Sequence, residues 1–485
     1  MHFFLSKEKY LKYFLPIVLF VWGLFQVFFG EQIVANQGLG WDGFRYASLT
    51  QYLTESPELD NYTVYRIFLP ALINLISTVF SFTISAKNII VSFHIIHLIL
   101  LPISGYFFVS IMEHYNLKSQ TKLLGIILCY INFAILKFTH YYPVMMDSVA
   151  FSLAIIIFYL FLKQKTFDYM LLGCIGAFIF PTLFLQALFL FLFSKPFEFK
   201  SKKLIIFISL TVFFILIQYV LLKSNMLNND VLYSLKVQEN YFFISALITA
   251  VLSTFFIYVF FSVNVKSFLV EIFSKKNVSK IVVAMLFIIV VALVAVLLNV
   301  HEKKSEYLSF TLILFKFFIT GNTMPGISVV AHTTYFGVVV FIMVLFWKSW
   351  LVEANNISSG LLIVCLLILF KVGIGSESRA IINILPFLIF PLLLVLNKLN
   401  INFTSILFLF LSNVFISKIW LKLNGEATCE IDQYGTLGFP CQAFLMHLGP
   451  WMSYNAYWLQ LIFFFIFAII ILLIFRKKIF THGKQ

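Results

Sequence analysis

Two short motifs in this chain combine a carboxylate with an arginine where polar sequence meets apolar sequence. Asp42 lies in G-W-D-G-F-R-Y (Gly40–Tyr46), just after the first apolar segment, and Arg66 lies in Y-R-I-F-L-P (Tyr65–Pro70), which opens the second. A carboxylate can take a proton from an attacking hydroxyl, and a guanidinium can hold a phosphate through two N–H groups. At one membrane face, the pair suits displacement of a lipid phosphate by a hydroxyl.

The same two residues also have a structural interpretation, and both interpretations stay open at this point. Arg66 could extend towards lipid headgroups from the end of a span, and Asp42 could cap a helix beside the membrane. The catalytic interpretation requires the carboxylate and the arginine to meet in one cavity.

Composition decides the class of protein. Of 485 residues, 61% are hydrophobic and 11% are charged, and the mean hydropathy is +0.99. A soluble protein could not bury so much apolar surface in one core. Continuous apolar runs such as Ile281–Val300 reach the roughly 20 residues that a helix needs to cross a bilayer, whereas barrel strands would alternate. The sequence therefore predicts an all-α, polytopic transmembrane helix bundle.

The net charge of +14 does not indicate a nucleic-acid partner, because the basic residues are scattered at the ends of apolar segments. Lysine and arginine are denser on the side of the N-terminus, which predicts a cytoplasmic N-terminus and membrane lipids as neighbours. Some segments are short, so we expect about 12–14 spans among the fourteen candidates. The candidates are 12–29, 64–83, 89–112, 123–138, 148–162, 169–193, 204–222, 241–263, 281–300, 334–350, 358–373, 381–396, 401–421 and 457–475.

The region 113–168 leaves one topological question open. Fourteen full crossings place Asp147 on the inside, with the lysines at both ends of the region on the outside. Those lysines would be more favourable inside. If 123–138 or 148–162 were a half-span, Asp147 would lie on the other side.

Three predicted outside loops, 30–65, 301–333 and 422–457, are longer than a simple connection needs, which is typical of functional loops. In the second loop, the run Leu308–Thr320 is too short to span and predicts an interfacial or re-entrant helix. In the third, Cys429 and Cys441 are candidates for a disulfide worth about 3 kcal/mol, the alternative being two free thiols.

The motifs G-x-D-G-x-x-Y and Y-R-x-x-x-P, with Tyr142-Pro143 before Asp147 and Ser378-Arg379 before a later span, resemble bacterial members of the GT-C superfamily. These are multispan glycosyltransferases that use polyprenyl-phosphate sugars outside the cytoplasm. The resemblance implies a GT-C-like bundle in the bacterial inner membrane with its active face extracytoplasmic. It also implies a catalytic core module in 1–222, followed by additional helices in 223–485.

The resemblance further implies roles for particular residues. Asp42 would be the general base, Arg66 the first choice for the donor phosphate with Arg379 and Arg45 behind it, and Asp147 a possible second acid. The donor would be a polyprenyl-phosphate-linked sugar and the acceptor a glycan, a lipid or a protein. No residue spacing indicates a metal site. Many members carry a second acid beside the first, and Asp42 lacks one, so whether a divalent metal takes part stays open.

Two other classes of function remain alternatives. An O-antigen-type polysaccharide polymerase would also carry basic external loops. A transporter or flippase of lipid-linked sugars or solutes would show broken spans with charges near the midplane, whereas the charges within the predicted spans, Lys137 among them, lie near span ends. The outside carboxylate and arginines favour the transferase.

Overall fold

The computed structural model describes residues 10–60, 62–197, 204–223, 241–262, 275–298, 323–370, 374–399, 401–424 and 446–482. This part of the chain is all-α, as predicted. The run Leu308–Thr320 and the pair Cys429 and Cys441 lie outside the described residues.

Most helices coincide with the apolar runs, because a chain in hydrocarbon must satisfy its backbone hydrogen bonds within each segment. The α-helices are α1 Leu11–Phe29, α2 Trp41–Tyr52, α3 Phe68–Phe80, α4 Ala86–His114, α5 Ser119–Tyr130, α6 Thr139–Tyr141, α7 Asp147–Leu162, α8 Thr166–Ala177, α9 Thr182–Leu192, α10 Leu204–Lys223, α11 Phe242–Ser262, α12 Lys275–Leu298, α13 Ile327–Phe336, α14 Val339–Leu345, α15 Trp347–Ile357, α16 Ser359–Ile368, α17 Leu385–Lys398, α18 Phe403–Ser417 and α19 Tyr454–His482.

Within the described residues, five helical segments are long and apolar enough to cross a membrane. A sixth is obtained if α5 and Ala134–Tyr141, which are bent by 55° relative to each other, count as one span. The chain is thus a multi-pass helical membrane protein, and the total of 12–14 spans stays a prediction. The five segments are Leu11–Phe29, Ala86–His114, Val278–Leu298, Ser378–Lys398 and Tyr454–Arg476.

The first and fourth helices run in opposite directions. At one end, Lys12 of α1 pairs with Glu113 of α4 at 3.6 Å. At the other end, Gln32, just after α1, hydrogen-bonds His94 near the start of α4 at 2.9 Å. Helix α4 therefore begins on the side of the bundle where α1 ends and where α2 carries Asp42. We call this the Asp42 side.

Helix α3 does not cross the bundle, so the predicted span 64–83 is wrong. It follows α2 and precedes α4 on the Asp42 side, and its 13 residues extend about 20 Å against ~30 Å of hydrocarbon. Its first residue, Phe68, donates its backbone N–H to the carbonyl of Phe178. An apolar helix that stays near one surface has the same composition as a short span, and hydropathy cannot separate the two.

This correction moves Asp147 to the Asp42 side. The bent segment after α5 returns there, where Ile33 donates its N–H to the carbonyl of Tyr141 at 2.9 Å. Helix α7 then starts at Asp147 and leads away, which puts the lysines after α4 and α7 on the opposite side. The failure to cross lies in 64–83, and not in 123–138 or 148–162 as the sequence suggested.

The predicted span 169–193 is a helical hairpin, α8 and α9, that turns at Phe178–Pro181. Gly173 allows the two helices to touch, since a Cβ there would lie 2.5 Å from the Cβ of Ala187. The chain therefore changes sides once fewer than predicted at 64–83 and once more than predicted at 169–193, where it goes across and returns. The two differences cancel, so the later segments lie on their predicted sides.

The predicted span 334–350 is divided between α13, α14 and α15. The break after α13 lies at Gly337, whose φ is +78°. The side chain of Asn413, from α18, fills the space a Cβ would take and accepts the N–H of Val338 at 2.7 Å. Asn413 also donates to the carbonyl of Ile127 at 3.1 Å, which ties α18 to α5.

Candidate functional site

The glycines of the first motif allow α2 to lie directly on a neighbouring segment. Gly40 has φ +69°, and a Cβ there would lie 2.5 Å from the hydroxyl of Tyr142 and closer to its ring. A Cβ on Gly43 would lie 2.9 Å from that of Val144, and the Gly43 N–H donates to the Tyr142 hydroxyl at 3.2 Å. Asp42 is therefore held between two glycines against Tyr142–Val144.

Arg379 joins the first motif to a distant part of the chain. It lies in the 3-10 segment Ser378–Ile384 that leads into α17. Its Nη1 donates to Asp42 Oδ2 at 2.9 Å, while its Nε and Nη2 donate to Glu377 Oε1 at 3.2 and 2.6 Å. The Arg379 side chain is only 15% exposed, against 31% for Asp42. We call Asp42, Arg379 and Glu377 the acid–arginine cluster.

Asp147 lies beside this cluster. It is 5% exposed at the start of α7, and it interacts electrostatically with Arg379, Arg66, Asp42 and Glu377. Three carboxylates and two guanidinium groups thus meet on the Asp42 side. The structure brings together four residues that the sequence singled out, Asp42, Arg66, Arg379 and Asp147, and it adds Glu377.

Arg66 reaches this region without a short contact to Asp42. It is buried, donates through Nη1 to the carbonyl of Ile179 at 2.8 Å and lies 4.0 Å from the centre of the Phe180 ring. Its Nε is buried and has no hydrogen-bond partner among the described residues. A buried donor without a partner is costly in a folded protein, and an anion would satisfy it.

Arg45 is engaged elsewhere in the first loop. It forms ion pairs with Glu58 at 3.0 Å and with Asp60 at 2.6 Å. Burial raises the pKa of Asp60, but hydrogen bonds from Thr63 and Arg45 more than offset this, so that the pKa is lowered below its ordinary value. Arg45 therefore braces the loop that carries Asp42.

His97, on α4, hydrogen-bonds both ends of the segment between Tyr142 and the start of α7. One ring nitrogen, Nε2, lies 2.7 Å from the carbonyl of Pro143, and Nδ1 lies 2.9 Å from the hydroxyl of Ser148. A carbonyl can only accept, so Nε2 carries the proton and Nδ1 accepts from Ser148. Between these two points, Met145 contacts Arg379 at 3.9 Å.

An apolar cavity of about 400 Å³ is lined in part by the segment that follows Arg379 in the chain. Ile381, two residues further along the chain, lines it, and so does His332, whose Nδ1 lies 2.9 Å from the hydroxyl of Ser378. The cavity extends towards Trp350 between helices α10, α11, α13–α17 and the 3-10 segment. Its other walls include Phe255, Phe256, Phe336, Met343, Trp347 and Leu388.

Lys137, which lies within the predicted span 123–138, is paired with Glu31 at 3.2 Å. Glu31 also accepts the backbone N–H groups of Leu423 and Asn424. These contacts join the first loop to the segment after α18.

Within the described residues, no group of three His, Cys, Asp or Glu side chains has the geometry of a metal site.

The chain matches no known protein-family model, no curated protein and no solved structure. A functional proposal therefore depends on the residues and their geometry.

Proposed function

We propose that the protein is a GT-C-like membrane glycosyltransferase that moves a sugar from a polyprenyl-phosphate donor to an acceptor at the extracytoplasmic face. One observation carries the proposal: Asp42, Arg379, Asp147 and Arg66 come from separate parts of the chain and lie close together on one side of the bundle. A partly exposed carboxylate beside buried guanidinium groups is the combination that this transfer needs.

In the proposed reaction, an acceptor hydroxyl attacks the anomeric carbon of the donor sugar. The bond between that carbon and the phosphate oxygen breaks, and its electron pair leaves with the polyprenyl phosphate. Asp42 takes the hydroxyl proton. The N–H groups of Arg66 and Arg379 stabilise the negative charge that develops on the phosphate.

The apolar cavity supports a donor with a lipid tail. Its volume of about 400 Å³ is within the usual range of ligand pockets, and its lining is almost wholly apolar. Ile381, two residues after Arg379 in the chain, and His332, which lies within hydrogen-bond distance of Ser378, are among its lining residues. The cavity is thus built partly from the segment that carries Arg379, and its chemistry suits an isoprenoid chain.

A transporter has less support. Transporters place charges near the membrane midplane to bind their substrates or coupling ions. Lys137, which lies within a predicted span, is paired with Glu31 near the end of that span instead.

The test measures sugar transfer from a polyprenyl-phosphate donor by purified protein in lipid vesicles. Asp42→Asn keeps the size of the side chain and removes its basicity, and we expect turnover to fall about 10²–10⁴-fold. Arg66→Ala should weaken donor binding as well as turnover. Asp168→Asn, a matched change at an exposed aspartate in the first turn of α8, should leave both unchanged. Wild-type turnover by Asp42→Asn would overturn the proposal.

A further inference from the structure

The two carboxylates of the acid–arginine cluster hold Arg379 unequally. Glu377 lies two residues away in the same segment and accepts two N–H groups, from Nε and Nη2. Asp42 accepts from Nη1 alone and comes from α2, 337 positions away in the chain. Because Glu377 is local and makes two contacts, it is the partner that fixes the guanidinium. Asp42 is the partner that a rotation of one side chain can release.

The contact with Arg379 also limits what Asp42 can do. While its Oδ2 accepts the Arg379 N–H at 2.9 Å, that oxygen is not available to take a proton from an acceptor hydroxyl. Oδ2 of Asp42 occupies the Nη1 edge of Arg379, which a phosphate would also use. Asp42 and an anion therefore compete for the same N–H group.

We propose that the Asp42–Arg379 pair is a latch, which the phosphate of an isoprenoid lipid opens by replacing Asp42 at Nη1. Asp42 then turns from an ion-paired carboxylate into a free base, and the donor must bind before the acceptor can react. Glu377 is a positioning residue that keeps Arg379 in place during the exchange. This inference rests on the proposed function for the identity of the anion as the donor phosphate.

The surroundings favour the exchange. Asp42 is 31% exposed and has room to leave its partner, whereas Arg379 is 15% exposed and stays enclosed. The buried Nε of Arg66, which has no partner among the described residues, supplies a second donor for the incoming anion. The apolar cavity is lined by Ile381, two residues beyond Arg379 in the chain, and offers the lipid chain an apolar site built from the same segment.

The experiment measures binding of farnesyl phosphate to purified protein in lipid nanodiscs. If the pair is closed in nine molecules of ten, removing the competing carboxylate raises the apparent affinity about tenfold. We therefore expect Asp42→Asn to bind farnesyl phosphate about tenfold more tightly than the wild type while losing turnover. Opposite effects on binding and on turnover are not expected from a residue with a merely structural role.

Glu377→Gln is the matched control, because it removes the same charge from the same guanidinium without freeing Nη1. The latch requires that Glu377→Gln does not tighten binding, and that farnesol, which lacks the phosphate, binds all variants alike. Equal tightening by both variants would indicate a general electrostatic effect and overturn the latch. Unchanged or weaker binding by Asp42→Asn would overturn it as well.

The outcomes separate this inference from the proposed function. Sugar transfer by the wild type without tightening in Asp42→Asn would leave the transferase standing and remove the latch. Tightening without any sugar transfer by the wild type would retain the latch as an anion-binding device and remove the transferase.

Discussion

Gly40 offers a direct test of how the first motif positions Asp42. Its backbone has φ +69° and ψ −164°, a region that essentially only glycine occupies, and a Cβ there would overlap Tyr142. Gly40→Ala combines backbone strain of about 1–3 kcal/mol with overpacking of about 1–3 kcal/mol. The sum, about 2–6 kcal/mol, is lost from stability unless α2 moves away from Tyr142.

If α2 does move, Asp42 moves with it and away from Arg379. A displacement of about 1 Å at a reacting group can cost about 10²-fold in rate. We therefore expect Gly40→Ala to lower either the thermal unfolding midpoint or turnover in the transfer assay, and the two measurements together show how the strain is divided.

Gly326 is the matched control for this experiment. It also has a positive φ, +64°, but the nearest atom to an added Cβ is 4.0 Å away. Gly326→Ala carries strain of about 1–2 kcal/mol without a clash. Adding Tyr142→Leu should rescue part of the Gly40→Ala defect and do nothing for Gly326→Ala. Equal effects of the two glycine changes, with no rescue, would refute the packing argument.

Three further predictions concern His97, the first loop and the topology. His97→Leu keeps bulk but removes both hydrogen bonds to the segment before α7, so turnover should fall about 10²-fold with donor affinity retained, and unchanged turnover would contradict a positioning role. Because the pKa of Asp60 is lowered from 3.8, its stabilising contribution is complete above that pH and is lost as the pH falls through the folded value. The difference in unfolding midpoint between wild type and Asp60→Asn should thus shrink in acid. A difference that stays constant with pH would argue against a lowered pKa of Asp60. In a background without native cysteines, Glu55→Cys should react with an impermeant reagent in intact cells and Asn116→Cys only after lysis, whereas labelling of both in intact cells would contradict the antiparallel packing of α1 and α4.

Several features of the site could be predicted from the sequence because they depend on local chemistry. Asp42 was singled out by its residue type and its position beside an apolar segment, and Arg379 by the resemblance of its motif, and the two form an ion pair. Their assignment as base and phosphate ligand stays a prediction.

Other features of the site depend on which side chains meet, and the sequence has no signal for that. Arg45 is as close to Asp42 in the chain as any arginine, but Glu58 and Asp60 engage it. Glu377 holds Arg379 because a 3-10 turn places the two side chains together, and an acid two residues before an arginine does not by itself predict that contact.

The sequence by itself determined that this is an all-α, multi-pass membrane protein, because long apolar runs are stable only as helices in hydrocarbon. The tertiary structure decided where the chain crosses and which residues share a side. Hydropathy measures the length of an apolar run but not its direction, so α3 and the hairpin of α8 and α9 could not be distinguished from single spans. Contacts between distant segments, such as Lys12 with Glu113 and Phe68 with Phe178, fix those directions. Another such contact, between Ile33 and Tyr141, places Asp147 on the same side as Asp42.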